Sequence, residues 1–362
     1  MLLPLPDINP SFRKPVSLLP TAADEIAKRH EFAIRLQESI QELTPRFNLS
    51  AAHVAVILTV PLYTLERHGR LSVEFDNYFT LESTLNELLS LVKHFLQGSR
   101  LAFKLSNASR SSAEEALCRE RDGRACVVTG TKNPATCHII PFVWNDTQAA
   151  IKRSLSVISS TQALLGLPWI REHGSSLVRG DLGSSDKCWN MLCLDRHLRF
   201  WWSRGHLAFK CLGSIPIAGD ESMVTVTLQF NWMLRDMLRD RIKPSRDMNL
   251  HGDNNDFMEM VERVRVFQAE GNPVQVPHSS FGIKSGHLIH VVMPATDAPK
   301  FKAAMDLQWA CIKIASISGA SNYPDLLPDH DDWEGVDKIL RTERWVAQQA
   351  ERPIPPRGTR IR

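Results

Sequence analysis

Apolar residues recur at helical spacing in several separate stretches of the chain. Residues 22–43 alternate apolar and charged positions as an amphipathic helix does, with a mixed charged face. Leu81, Leu85, Leu88, Leu89, Leu91 and Val92 predict a helix over 81–96. Ser111 or Ser112 can cap a helix that runs to Arg121, with Glu114 and Glu115 in the first turn, where the helix dipole favours acids. Residues 300–317 predict another helix. Residues 51–65 are apolar and β-branched, and their periodicity fits a buried helix or a buried strand equally well.

Strand signals cluster after Asp122-Gly123. Residues 125–128 read as a strand, 129–135 as turn material with Gly130, Asn133 and Pro134, and 136–142 as a second strand. A helix is expected within 149–165, a Gly/Ser-rich loop at 174–185, and a helix from Asp195 onward. Residues 206–212, 224–230 and 288–293 read as strands, 233–242 as a short helix and 244–256 as a polar loop. Residues 1–20 are Pro-rich and extended, and one more short helix follows the acidic stretch after Pro324. Together these elements predict an α+β protein.

The length of 362 residues suggests two or three domains. The 43% apolar and 23% charged content is ordinary and excludes collagen-like, coiled-coil and largely disordered chains. A net charge of +3 names no partner, but the charge is uneven. Residues 100–215 hold 16 Lys+Arg against 9 Asp+Glu, making the middle third the natural seat for a polyanion. Seven cysteines are too sparse for a disulfide scaffold, and the N-terminal segment lacks the pattern of a secretory leader. The longest apolar run, interrupted by His53 and Pro61, falls short of a membrane span. The expected setting is intracellular, in nucleus or cytoplasm, with no membrane partner.

The chemically informative text is RDGRACVVTGTKNPATCHIIPF, followed by WNMLCLDRHLRFWW. The points of interest are Arg121-Asp122-Gly123, Cys126 to Gly130, Cys137-His138-Ile139-Ile140-Pro141-Phe142, Trp189 to Leu194, and His197. This resembles the fungal branch of the HNH endonuclease family, over residues 100–325. The resemblance implies a central ββα-metal module with a helical N-terminal region and a C-terminal α/β segment. The implied divisions are 1–99, 100–215 and 216–350, with 351–362 a basic, disordered tail.

It also implies phosphodiester hydrolysis in nucleic acid, taken to be DNA, with a divalent metal ion (Mg²⁺, Mn²⁺ or Zn²⁺) as cofactor. His138 would be the general base, since an imidazole titrates near neutral pH. His197 would be the metal ligand on the helix and Cys137 a second ligand. Asn190 would tie down the loop or the base, a role that suits an amide that donates and accepts without titrating. Arg196, Arg199 and Arg204 are candidates for phosphate contact.

Two positions depart from the family pattern. Cys137 stands where an Asp or His precedes the base, and Phe200-Trp201-Trp202 follow His197 where a second ligand often sits. Zn²⁺ accepts a Cys–His pair, whereas Mg²⁺ prefers oxygen. The departures support an alternative: a catalytically degenerate HNH-fold scaffold that binds DNA or protein, with Trp201 or Trp202 filling the metal space. Cys126, Cys137, Cys188 and Cys193 lack paired zinc-knuckle spacing, so buried thiols are the default expectation.

Overall fold

The computed structural model describes residues 12–74, 78–104, 111–174, 182–235, 242–253, 255–270 and 282–329. The N-terminal third is three helices: α1 (Ala23–Gln41), α2 (Ala51–Thr59) and α3 (Tyr78–Lys104). Helix α2 settles the ambiguity at 51–65. Ser50 Oγ accepts the His53 N–H, and His53 Nδ1 accepts the Ser50 N–H, so the helix starts on a reciprocal cap. Every residue from Ala51 to Leu58 is buried, which is why no amphipathic period marked it. Helix α3 extends beyond 81–96 at both ends and buries its leucine stripe together with Phe95.

Helix α4 (Ser112–Arg121) starts where the sequence implies, with Ser111 Oγ accepting the Glu114 N–H. The strand expected at 125–128 does not form. Cys126 N–H donates to Thr131 O and Gly130 N–H to Cys126 O, which closes a tight turn. Ala125 retains a single bridge to Lys132. Strand β1 (Ala135–His138) pairs instead with β2 (Met191–Leu194), antiparallel, with Ala135 opposite Leu194 and His138 opposite Met191. The expected strand stops at His138 because Pro141 has no N–H and opens a short 3₁₀ turn, Phe142–Trp144. Between the two strands, the described residues 139–174 and 182–190 lie outside this sheet. They carry α5 (Gln148–Ile158) and α6 (Thr161–Leu165), two helices within the span where the pattern suggested one, followed by the short helical turns Leu167–Trp169 and Ile170–Gly174. Helix α7 (Arg196–Ser203) follows β2 directly, capped by Asp195, whose Oδ1 accepts the His197 N–H at 2.8 Å.

A second antiparallel sheet contains β3 (Leu207–Ile217), β4 (Asp220–Trp232) and β5 (Leu288–Pro294), with β4 central. Gly219 (φ +83°) makes the tight β3–β4 turn. Val224, Val226, Leu228 and Phe230 are buried along β4, as the alternation predicts. Helix α8 (Asp256–Ala269), capped by Asn255, was not expected. Its buried face is only Phe257, Met260, Val261 and Val264, diluted by charged residues between them. Helix α9 (Ala298–Ile317) is buried on almost every side and packs against β3, α2 and α3.

The architecture is α+β, with one continuous apolar cluster running through both sheets and the surrounding helices. No helix among the described residues is long and apolar enough to cross a membrane. Residues 233–235 are not helical, and the rest of the helix expected at 233–242 falls mostly outside the described residues. The short helix expected after the acidic stretch and the basic tail 351–362 also lie outside them.

Candidate functional site

The β1–β2 pair lies between α4 on one face and α7 on the other. Strand alternation puts Thr136 and His138 on one face with Cys193 and Met191 opposite them, and puts Cys137 on the other. Arg119 of α4 donates to Thr136 Oγ1 at 3.3 Å, which identifies the first as the α4 face.

The side chain of His138 is 1% exposed. Its Nε2–H donates to Asp186 Oδ1 at 2.8 Å, and its ring leans on Phe142. Asp186 Oδ2 accepts the Ser111 N–H at 2.6 Å, so one carboxylate joins the end of β1 to the cap of α4. Nothing in the Gly/Ser-rich stretch singled out Asp186 as this partner.

Asn190 is fully buried. Its Oδ1 accepts the Ile140 N–H, and its Nδ2 donates to Ile140 O and Ser185 O, each at 2.9 Å. The amide therefore fixes the chain just beyond His138 to the loop carrying Asp186.

Cys137 and His138 border a small cleft closed by Phe95 of α3 and by Arg199, Trp202 and Ser203 of α7. Arg199 and Ser203 are one helical turn apart, so they present one stripe of α7 to the cleft. Arg199 donates to Ala102 O at 3.4 Å and lies over the Phe103 ring at 5.0 Å. His197 is not among the lining residues. Its side chain is 78% exposed, and its Nδ1 lies 3.2 Å from Asp195 Oδ1 of its own cap. The two residues expected to share a metal, Cys137 and His197, are thus placed differently: Cys137 in the cleft, His197 at the solvent.

This donor set does not fit a divalent cation. The lining offers the buried Cys137 thiol, the hydroxyls of Ser99 and Ser203 and the Arg199 guanidinium, with the His138 imidazole bonded to Asp186. A guanidinium is a fixed positive charge with donors only, so it repels a metal ion and attracts an anion. Trp202 also borders the cleft. It is buried against the core, and its Nε1–H donates to Gln308 Oε1 at 3.0 Å. Trp201 is half-buried, its ring edge-on to His206, Phe200 and Trp232. Arg196 is exposed at the start of α7 and Arg204 at its end, the latter 4.1 Å from the Phe200 ring centroid.

A different side-chain cluster occupies the α4 face. Cys118, Asp122 and Cys193 bring their ligand atoms within 4.8 Å of one another, with Cys188 beside them. This set differs from the four cysteines weighed from sequence, because Cys118 of α4 replaces Cys126 and Cys137. Arg121 closes the cluster. It pairs with Asp122 at 2.7 Å and donates to Cys188 O, Met191 O and both the Cys118 and Cys188 thiols. Burial opposes its charge, but Asp122 holds Arg121 above the usual guanidinium range. The Cys118 thiol, followed by Arg121, holds Cys188 below the usual thiol range. The guanidinium supplies the positive charge here, and the cluster links α4 to β2.

No curated protein matches the chain, and no solved structure does. The HNH endonuclease family model matches residues 126–210, the span that runs from the turn before β1 through α7 into β3, and this match points to a nuclease-type, nucleic-acid-related function.

Proposed function

We propose that the chain is a nucleic-acid-binding protein built on an HNH-type module that no longer assembles a catalytic cation site. The observation that carries this reading is Arg199, which lines the same cleft as Cys137. The cleft of this module therefore presents a permanent cation in place of metal ligands. Phosphate oxygens suit that position, because guanidinium and phosphate pair through charge-assisted hydrogen bonds. His138 and Asp186 then serve as a buried strut between β1 and α4.

A second reading keeps hydrolysis, with His138 as general base. The observation in its favour is the His138–Asp186 pair, since a carboxylate on one imidazole nitrogen fixes the ring's tautomer and orientation. Plasmid nicking decides between the two. The wild-type protein and His138→Ala are assayed with Mg²⁺, Mn²⁺, Ni²⁺ and Zn²⁺ in turn, beside anisotropy binding of labelled oligonucleotides. The binding reading expects salt-sensitive binding and no His138-dependent nicking. Metal-dependent nicking that disappears in His138→Ala overturns it.

A further inference from the structure

We infer that Arg204, Arg235 and Arg100 form a second nucleic-acid contact, a phosphate-backbone site gathered around Trp201 at the far end of α7. It rests on the nucleic-acid-binding reading above and extends it to a surface that reading does not use.

The arginines come from separate elements. Arg204 follows α7, Arg235 follows β4, and Arg100 lies in α3. Arg204 lies over the Phe200 ring, 4.1 Å from its centroid, and Arg235 over the Trp201 ring at 4.3 Å. A guanidinium held over a ring by cation–π attraction does not spend its N–H donors on that contact, and a planar fork of such donors is what pairs with phosphate. Arg100 joins through the backbone: it donates to Ser321 O at 2.6 Å, and Ser321 Oγ donates to Gly205 O at 3.2 Å, between Arg204 and His206.

Among the described residues, none of the three makes an ion pair. Their charges act on one another. After burial, Arg204 is the next cause holding both Arg100 and Arg235 below the usual guanidinium range. Asp325 is the acid that offsets this at Arg100. His206 records the same field. It is 7% exposed and packs against the edge of Trp201 at 5.5 Å. Its Nδ1, like Arg100 Nε, is buried without a hydrogen-bond partner among the described residues. Burial, then Arg235, Arg100 and Arg204, take its pKa down to about 3, so the ring is neutral. Like charges gathered around aromatic rings, with Asp325 offsetting them only at Arg100, are a standing cost to the fold, and a docked polyanion relieves it. Alternating aromatic and guanidinium groups are also the surface on which nucleic-acid strands stack and pair their phosphates.

The test is anisotropy titration of the full chain with a labelled single-stranded oligonucleotide and with its duplex, across a salt series. Arg204→Glu with Arg235→Glu is expected to weaken binding about tenfold or more and to lower the slope of log K against log salt by about 2. Arg204→Lys with Arg235→Lys keeps the charge, loses the fork, and falls between the two. Lys28→Glu, exposed on α1, controls for bulk charge and leaves binding near the wild-type level. Thermal melts confirm that each variant is folded. Unchanged affinity and slope in the reversed double variant, with wild-type binding intact, overturn this site and leave the cleft reading standing. No wild-type binding to either oligonucleotide removes both. Arginine-dependent capture by phosphatidylserine vesicles without oligonucleotide binding also overturns it.

Discussion

Asn190 grips Ile140 at both ends of the same residue, its Oδ1 taking the Ile140 N–H and its Nδ2 giving to the Ile140 carbonyl, each at 2.9 Å. The side chain imitates a strand partner at the point where Pro141 ends the ladder. Asn190→Ala leaves buried backbone groups at Ile140 and Ser185 without partners. A loss of about 3 kcal/mol or more is expected in urea unfolding. Asn190→Asp keeps the shape but loses both donations and is expected to be nearly as damaging.

The cleft makes a gain-of-site prediction. Cys137→Asp combined with Arg199→His removes the fixed cation and provides an oxygen and a nitrogen ligand beside His138. Calorimetry is expected to show Mn²⁺ binding in this double variant and none in the wild-type protein. If the double variant takes up no Mn²⁺, α7 does not present Arg199 to Cys137 as described.

The Arg121–Asp122 pair carries two expectations. Both side chains are buried, and each satisfies other groups: Asp122 accepts the Cys193 N–H at 2.8 Å. Arg121→Met strands the Asp122 charge and is expected to cost about 3–5 kcal/mol in equilibrium unfolding. The same variant is expected to slow alkylation of Cys188, because the neighbouring cation that favours its thiolate is gone. Equal alkylation rates at pH 7 in folded variant and wild type would show that Arg121 does not act on that thiol.

Buried His53 predicts an acid limb in stability. Burial lowers its pKa from 6.5 to about 4, partly offset by Asn86 and then Asp247. The unfolded chain therefore takes up this proton first as pH falls. The stabilisation is complete above about pH 6.5 and declines toward pH 4, by about 3 kcal/mol in all. His53→Gln removes the titrating group, so its unfolding free energy is expected to vary less than wild type between pH 7 and pH 4. Parallel curves would mean that His53 is protonated in the fold.

Much of the fold follows from pattern alone. The leucine stripe of α3, the Ser111 cap and the alternation in β4 are local signals, and each became the element it predicts. What failed was non-local. Residues 125–128 have strand-like composition, but the partner of β1 lies beyond residues 139–190, and β2 took that place. Helix α8 was hidden because its apolar stripe is narrow and interrupted by acids and arginines. At the site, His138, Cys137 and Asn190 stood out through residue type and motif. Arg199 stood out by its charge, but its place beside Cys137, like Asp186 and Ser203, became visible only when strand and helix were placed together. A histidine at 197 drew attention because of its chemistry, while the turn of α7 presents the neighbouring stripe to the cleft.

One wall of that cleft comes from outside the HNH-matching segment. Phe95 and Ala102 of α3 border it, and Trp144 from the excursion after β1 stacks on His94 of the same helix at 4.8 Å. Excising residues 126–210 would leave Cys137 and Trp202 facing water and deprive Trp144 of its support. The module in this chain is therefore not a portable cassette. A truncation that respects the motif's boundaries will yield an aggregating fragment, and domain swaps must carry the long α3 helix with them.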